Sequence, residues 1–139
     1  AGSRADAVIV NGGLGPTVDD LSQEIAAKAA GVELVFDPVW YERMEAYFQK
    51  RGRVMPPTNR KQAMLPAGAE RLDNPIGTAC GFALDIGRAR FYFTPGVPRE
   101  MKRMLSDEIV PRLLARLGRP GASVLKRFHS FGLGESRVD

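Results

Sequence analysis

Short apolar runs alternate with amphipathic segments along the first part of the chain. Residues 6–11 (DAVIVN) are mostly apolar and β-branched, a pattern typical of a buried parallel strand. Residues 18–30 show helical periodicity, with a predicted capping box at Thr17 and Asp20 and a predicted end at Gly31. The apolar positions of this helix share one face: Leu21, Ile25, Ala26 and Ala29.

A second helix is predicted after Asp37, which can cap it, with Pro38 in its first turn and its end before Gly52. Its apolar stripe is most simply a core-facing surface and consists of Trp40, Met44, Tyr47 and Phe48. The prolines of residues 54–58 predict a break, and residues 59–64 predict a short helix.

The middle of the chain is typical of a hairpin. Residues 68–77 predict loop and turn with one short strand. Residues 81–86 (GFALDI) and 90–94 (RFYFT) predict two strands, and the tight turn at residues 87–88 makes them antiparallel.

Helical periodicity returns after this hairpin and continues to about Leu117. Because Pro111 lies inside the pattern, we expect residues 106–107 to start a second helix there. Residues 118–122 predict a linker, and residues 123–131 alternate like a strand. Alternating strands and helices indicate an α/β fold with a mostly parallel sheet and one antiparallel hairpin.

Composition narrows the class of protein. The 139 residues fit about one domain, and 44% hydrophobic with 26% charged residues is typical of a soluble protein. No apolar run predicts a membrane span or a signal peptide, so we expect a cytoplasmic protein without membrane contact. Cys80 and His129 are single residues of their types, which excludes an internal disulfide, and we expect both to be structural.

A net charge of +4 comes with a local basic cluster: Lys50, Arg51, Arg53, Arg60 and Lys61. Such a cluster either contacts phosphates or forms a solvated rim. We expect no nucleic-acid partner, because the chain has no aromatic stacking platform and no recognition-helix motif.

The glycine-rich loop at residues 12–17 (GGLGPT) leaves a predicted strand and enters a predicted helix. In α/β sheets this junction binds ligands, because glycines admit an anion close to free backbone N–H groups. The sequence matches neither a Walker loop nor G-x-G-x-x-G, and a tight turn with positive φ is the alternative. The candidate phosphate-binding residues are Gly12, Gly13, Gly15, Pro16 and Thr17.

Two aspartates follow this loop. Asp19 and Asp20 either stabilise the first helical turn or include a carboxylate that binds a divalent cation bridging to phosphates. A second polar loop, NPIGTACGF, starts at Asn74, and a third, TPGVPREM, contains Glu100 in the first turn of the next helix. Turns use the same residue types. The candidates in these loops are Asn74, Gly77, Thr78, Pro95, Gly96 and Glu100.

Three segments, GGLGPTVDDLS, PTNRKQAMLPAGAERLDNPIGTACGF and FTPGVPREMKRM, resemble the competence-damage-inducible protein A (CinA) family over residues 6–117. The resemblance implies a three-layer α/β/α molybdopterin-binding-type domain at residues 1–118, with its beginning missing. It also implies that residues 119–139 are a linker and the start of a small α/β module. Family members have an earlier portion with a GDE segment, and some add an amidohydrolase domain.

The resemblance implies divalent-metal-dependent pyrophosphatase activity that splits ADP-ribose into AMP and ribose 5-phosphate. Asp20 and Glu100 would then be catalytic and bind Mg, Mn or Co, while Asn74 and Thr78 would orient the nucleotide. The alternative is a module that binds molybdopterin or a nucleotide without hydrolysis. A third reading is that the missing first portion completes the site. We expect a homo-oligomer, either a dimer or a trimer.

Three positions depart from the family pattern. Asn11 and Ser22 stand where the family usually has threonine, and Cys80 replaces a proline. These departures concern the geometry around the ligand more than the fold.

Overall fold

The computed structural model describes residues 2–118. The predicted linker at residues 118–122 therefore lies almost entirely outside the described residues, and the strand at 123–131 with His129 lies wholly outside them. Six strands are described: β1 (Ala7–Asn11), β2 (Leu34–Phe36), β3 (Met64–Pro66), β4 (Glu70–Leu72), β5 (Gly81–Ile86) and β6 (Ala89–Thr94). The α-helices are α1 (Ser22–Ala30), α2 (Pro38–Gln49), α3 (Pro98–Met104) and α4 (Val110–Leu117), with a 3₁₀ helix at Pro57–Ala63.

The main sheet has the strand order β1-β6-β5-β4. Strand β1 pairs with β6 in parallel, and its last residue, Asn11, lies opposite Thr94. Strands β5 and β6 form the predicted antiparallel hairpin, and β4 adds a further antiparallel edge. The α/β class is confirmed, and β1–β6 is the parallel pairing among the described strands. Strands β2 and β3, which the sequence did not predict, form a separate antiparallel pair.

Helices cover both faces of this sheet, because successive side chains of a strand point to opposite faces. One face contributes Phe82, Leu84 and Phe93 to a core that also contains Ala26, Trp40 and Met44 of α1 and α2. The opposite face contributes Ala83 and Tyr92 to a second core with Met104 and Ile109. The three-layer α/β/α arrangement is therefore confirmed.

Helix α1 begins later than the sequence predicts. Its first residue is Ser22 rather than residue 18, and Gly31 ends it with φ +70° as expected. The predicted apolar face was also wrong, because Leu21 and Ile25 are 41% and 61% exposed. The buried residues of α1 are Gln23, Ala26 and Ala27.

Helix α2 follows the prediction closely. The Asp37 side chain accepts a hydrogen bond of 2.9 Å from the backbone N–H of Trp40, and Pro38 lies at the N-terminus. Trp40 and Met44 are buried in the core as expected. Tyr47 and Phe48 are only half-buried, so the outer end of the predicted stripe faces a cavity or solvent rather than the core.

The last described helix has no break at Pro111. Helix α3 continues through a π-helical turn, Leu105–Ile109, directly into α4. In this wider turn the N–H of Val110 donates to the carbonyl of Leu105, five residues earlier. The wider turn leaves room beside the Pro111 ring, which would clash with an ordinary α-helical turn. The predicted restart at residues 106–107 was therefore wrong. No helix among residues 2–118 is long and apolar enough to cross a membrane.

Candidate functional site

The glycine-rich loop begins where strand β1 ends. The N–H of Gly12 donates to the carbonyl of Thr94 over 2.8 Å, which continues the pairing of β1 with β6 by one residue. Gly12 and Gly13 have φ values of +98° and +72°, a backbone conformation that glycine adopts most readily. The loop then returns to α1, where the Ser22 hydroxyl donates to the Gly12 carbonyl over 2.8 Å. A hydroxyl at position 22 thus closes the loop.

Asp20 lies in this loop, ahead of α1. Its Oδ2 accepts a hydrogen bond of 2.6 Å from the Thr17 hydroxyl and one of 2.9 Å from the Thr17 N–H. The expected Thr17–Asp20 pair therefore forms, but as a turn before the helix and not as its cap. A Cβ at Gly15 would overlap the Asp20 carboxylate, so a side chain at this position would displace Asp20. Asp19, by contrast, is exposed.

Hydrogen bonds lower the pKa of the Asp20 carboxyl. The Thr17 hydroxyl makes the largest contribution, partial burial opposes it, and backbone N–H groups of Thr17 and Gly15 add to the lowering. The charge of Lys61 lowers the pKa further, since its ammonium group lies nearby and donates to the Thr17 carbonyl over 3.2 Å. Asp20 is therefore a pre-oriented carboxylate that stays ionised at neutral pH.

Glu100 is held by a buried amide. The Asn74 Nδ2 donates to Glu100 Oε2 over 2.7 Å and to the Ala79 carbonyl over 2.9 Å. Its Oδ1 accepts a hydrogen bond of 3.1 Å from the Gly77 N–H. Asn74 is only 1% exposed, and a Cβ at Gly77 would overlap both Asn74 and Glu100. The hydrogen bonds of Asn74 are thus directed to Glu100 and its own loop.

The three predicted loops meet around one cavity of about 350 Å³, hereafter the first cavity. Gly12 and Gly96 approach closely across it, since a Cβ at Gly96 would lie 3.5 Å from the Gly12 Cα. The predicted residues that line it are Gly12, Gly13, Gly15, Pro16, Asp20, Thr78, Pro95, Gly96 and Glu100. Thr17, Asn74 and Gly77 are not part of this lining, and Thr17 and Asn74 instead hold the two carboxylates in place.

Gln62 also lines the first cavity, and sequence reasoning missed it. Its Nε2 donates to the Leu14 carbonyl over 3.1 Å, and its Oε1 accepts from Asn59 Nδ2 over 2.8 Å. Through Gln62, the 3₁₀ helix therefore holds the glycine-rich loop in place. The only signal in the sequence was a polar side chain in a short helix, which is usually exposed.

The other two departures from the family pattern, Asn11 and Cys80, directly adjoin Gly12 and Ala79 of the first cavity. Asn11 Oδ1 accepts a hydrogen bond of 3.1 Å from the buried Thr94 hydroxyl, so it joins the ends of β1 and β6. Cys80 is buried in the first core, and burial raises the pKa of its thiol well above the ordinary value. A buried, neutral thiol is a poor nucleophile, in agreement with a structural role.

The carboxylates fit one mode of binding a divalent cation. Among residues 2–118 no group of three or more His, Cys, Asp or Glu side chains is placed to hold a metal ion. Mg²⁺ is commonly bound through one or two protein carboxylates together with water and substrate phosphates. Asp20 and Glu100, which line the same cavity, match that mode rather than a cage built from protein alone.

Comparisons with known proteins identify the family to which this domain belongs. Residues 1–115 match the family described as "Probable molybdopterin binding domain". The chain is 56% identical to a "CinA-like protein" of Escherichia coli O9:H4 (strain HS) over 133 residues, which is 96% of this chain. The identity is the same to the "NMN amidohydrolase-like protein YfaY" of Escherichia coli (strain K12). The chain spans about a third, 33%, of each relative.

A solved structure shows the same fold. It is described as the protein CinA, with unknown function, from Thermoplasma acidophilum. The two superpose with a TM-score of 0.60 at 36% sequence identity, over 73% of this chain and 59% of the other.

Proposed function

This chain belongs to the family of probable molybdopterin-binding domains, among its CinA-like members, and on that premise we propose a divalent-metal-dependent nucleotide pyrophosphatase. The substrates would be ADP-ribose-like diphosphates, cleaved by water into AMP and a sugar phosphate. The observation that carries this proposal is the first cavity, in which two carboxylates face glycine-rich backbone from two loops. That combination suits a ligand that is anionic and bound with a cation.

The residues of the first cavity divide the work. Backbone N–H groups of Gly13 and Gly96, which line the first cavity, would bind the diphosphate oxygens, because glycine permits a close approach. Asp20, ionised and fixed by Thr17, and Glu100, fixed by Asn74, would hold the cation. A bound divalent cation would supply neutralisation of charge on the diphosphate.

Thr78 is the remaining polar side chain that we assign to the ligand. It lines the first cavity next to Ala79, at the end of the loop that holds Glu100. Its hydroxyl would contact the nucleotide. Asn74 would act through Glu100 instead, because its hydrogen bonds are already directed within the protein.

A second candidate function is binding without hydrolysis. The matching family is described as molybdopterin-binding, and a pterin with a phosphate group would use the same loops. The amidohydrolase-like name of the K12 relative refers to a protein of which this chain spans about a third. We therefore assign no amidohydrolase role to any residue described here.

The test is to incubate the chain with ADP-ribose and Mg²⁺, Mn²⁺ or Co²⁺ and to measure AMP by chromatography. We expect AMP and ribose 5-phosphate in equal amounts, and none after chelation of the metal. The full-length K12 relative serves as a parallel sample. Release by that relative but not by this chain would mean that further residues complete the site. No release by either, with tight molybdopterin binding by calorimetry, would favour the second candidate.

A further inference from the structure

A second cavity of about 560 Å³ lies between helix α2 and the loop that precedes β5. This volume falls within the usual range of small-molecule sites, about 300–1,000 Å³. The residues that matter here are Trp40, Arg43, Tyr47, Lys50, Arg51 and Asn74. No carboxylate is among the described residues that line it, whereas the first cavity has two.

Arg51 and Tyr47 form a flat platform in this second cavity. The Arg51 guanidinium lies 3.5 Å from the centre of the Tyr47 ring, and its Nη1 donates to the Tyr47 carbonyl over 3.0 Å. The Tyr47 hydroxyl donates to the Ile76 carbonyl, in the loop that precedes β5, over 3.4 Å. The guanidinium is therefore held with one face against the ring, and planar guanidinium groups stack with heteroaromatic rings.

Two further cationic side chains, Arg43 and Lys50, line the cavity that holds this platform. Arg43 lies 4.9 Å from the Trp40 ring centre and pairs with Asp73, with one Nη2–Oδ2 distance of 3.2 Å. Lys50 and Arg51 complete the cationic side of the lining. The basic cluster predicted from the sequence thus contributes to a cavity rather than only to a solvated rim.

The two cavities share one loop. Asn74 and Gly77 line the second cavity, and Thr78 and Ala79 line the first. Asn74 also donates to Glu100, a lining residue of the first cavity, over 2.7 Å. A ligand with phosphates in the first cavity would therefore need to extend past only one loop to reach the platform.

We infer that the second cavity is the subsite for a planar nitrogen heterocycle, stacked on Arg51, of the ligand whose phosphates lie in the first cavity. This inference rests on the proposed phosphate site. Adenine and pterin share the required chemistry, since both are flat nitrogen heterocycles that can stack on a guanidinium plane and that carry several hydrogen-bond acceptors. The cations would add attraction for the anionic ligand as a whole.

The experiment compares Arg51→Gln with Arg53→Gln by calorimetry in the presence of Mg²⁺. Both arginines are exposed and both changes remove one positive charge, but Arg53 lines neither cavity. The probes are AMP, neopterin monophosphate and inorganic diphosphate. We expect Arg51→Gln to weaken binding of at least one ring-bearing probe by about tenfold, while diphosphate binding stays within twofold. Arg53→Gln should leave all three within twofold.

Each result decides a separate question. Preference for AMP or for the neopterin compound identifies the ring as adenine or pterin. Equal weakening of all probes by Arg51→Gln would overturn the ring subsite and leave an anion site in its place. If Arg51→Gln leaves the affinities for AMP, neopterin monophosphate and diphosphate unchanged, the inference is overturned but the proposed function is not. Failure of the unaltered chain to bind any probe would overturn the inference for this chain, and AMP release by the full-length K12 relative would then decide the proposed function separately.

Discussion

The two carboxylates of the first cavity are held in different ways. Asp20 is fixed by Thr17, three residues away, through exposed hydrogen bonds of 2.6 and 2.9 Å. Glu100 is fixed by Asn74, a buried amide 26 residues away. The first arrangement is local and depends little on the rest of the fold. The second exists only once β5, β6 and α3 have assembled, so a change there should affect both stability and activity.

The largest effect is expected from Asp20→Asn. This change removes the ionised carboxylate but keeps the shape, so AMP release should fall by orders of magnitude while the melting temperature changes little. Asp19→Asn is the matched control, because Asp19 is adjacent, exposed and outside the cavity. Activity that survives Asp20→Asn would reduce Asp20 to a structural residue of the loop.

Asn74→Leu should affect both properties at once. It leaves the Gly77 N–H without its acceptor, and the Ala79 carbonyl and Glu100 without their donor. We expect unfolding in urea to become easier by about 1–3 kcal/mol. Turnover should fall roughly 10- to 100-fold, as for other positioning partners.

Glu100→Gln separates the two effects of Asn74→Leu. The side-chain carbonyl of the glutamine at position 100 can still accept the Asn74 hydrogen bond. Stability should therefore remain near that of the unaltered chain while turnover falls. If Asn74→Leu costs no stability, the buried amide does not hold this loop, and the contrast between the two carboxylates is lost.

Thr17→Val should have a smaller effect, because the Thr17 N–H still holds the Asp20 carboxylate while the hydroxyl donor is lost. Because Thr17 lowers the pKa of Asp20, its removal should raise that pKa towards the ordinary value. The stabilisation that Asp20 provides is present above its unfolded-state pKa and is lost as pH falls through the lower folded-state pKa. Because the proposed activity needs the ionised Asp20 carboxylate, the acid limb of the activity profile should move to higher pH. An unmoved limb would show that another group controls it.

Lys61→Met should have the smallest effect. The charge of Lys61 is the last of the causes that lower the pKa of Asp20. The acid limb should shift less than in Thr17→Val, and the shift should disappear at high salt because exposed charges are screened. A salt-independent shift would indicate that the Lys61–Thr17 hydrogen bond, and not the charge, supports the loop.

Sequence patterns predicted what is local. The order of the main strands and helices, the β5–β6 hairpin, and the Thr17–Asp20 pair all follow from short-range signals. The start of α1 was misplaced because the Ser22 hydroxyl bonds back to Gly12, a loop closure that helical periodicity does not reveal. Strands β2 and β3 are three residues each, too short for alternation to show.

What depends on tertiary contact was not predictable. The family resemblance placed the glycine-rich and proline-glycine loops at one site, but the burial of Asn74 and its bond to Glu100 require the assembled sheet. Gln62 was missed because its partners, Leu14 and Asn59, enclose it only in the fold. Tyr47 was expected in the core, whereas it supports Arg51 at the second cavity.

The buried thiol of Cys80 can report on transient opening of the structure. Cys80 is the only cysteine of the chain, and it follows Ala79, which lines the first cavity. Because the sulfur is enclosed in the core, an alkylating reagent can reach it only when the structure around Cys80 opens transiently. The rate at which Cys80 is alkylated therefore reports how often this region opens. A ligand bound between the glycine-rich loop and the loop of residues 74–79 would stabilise the closed state and so slow the alkylation.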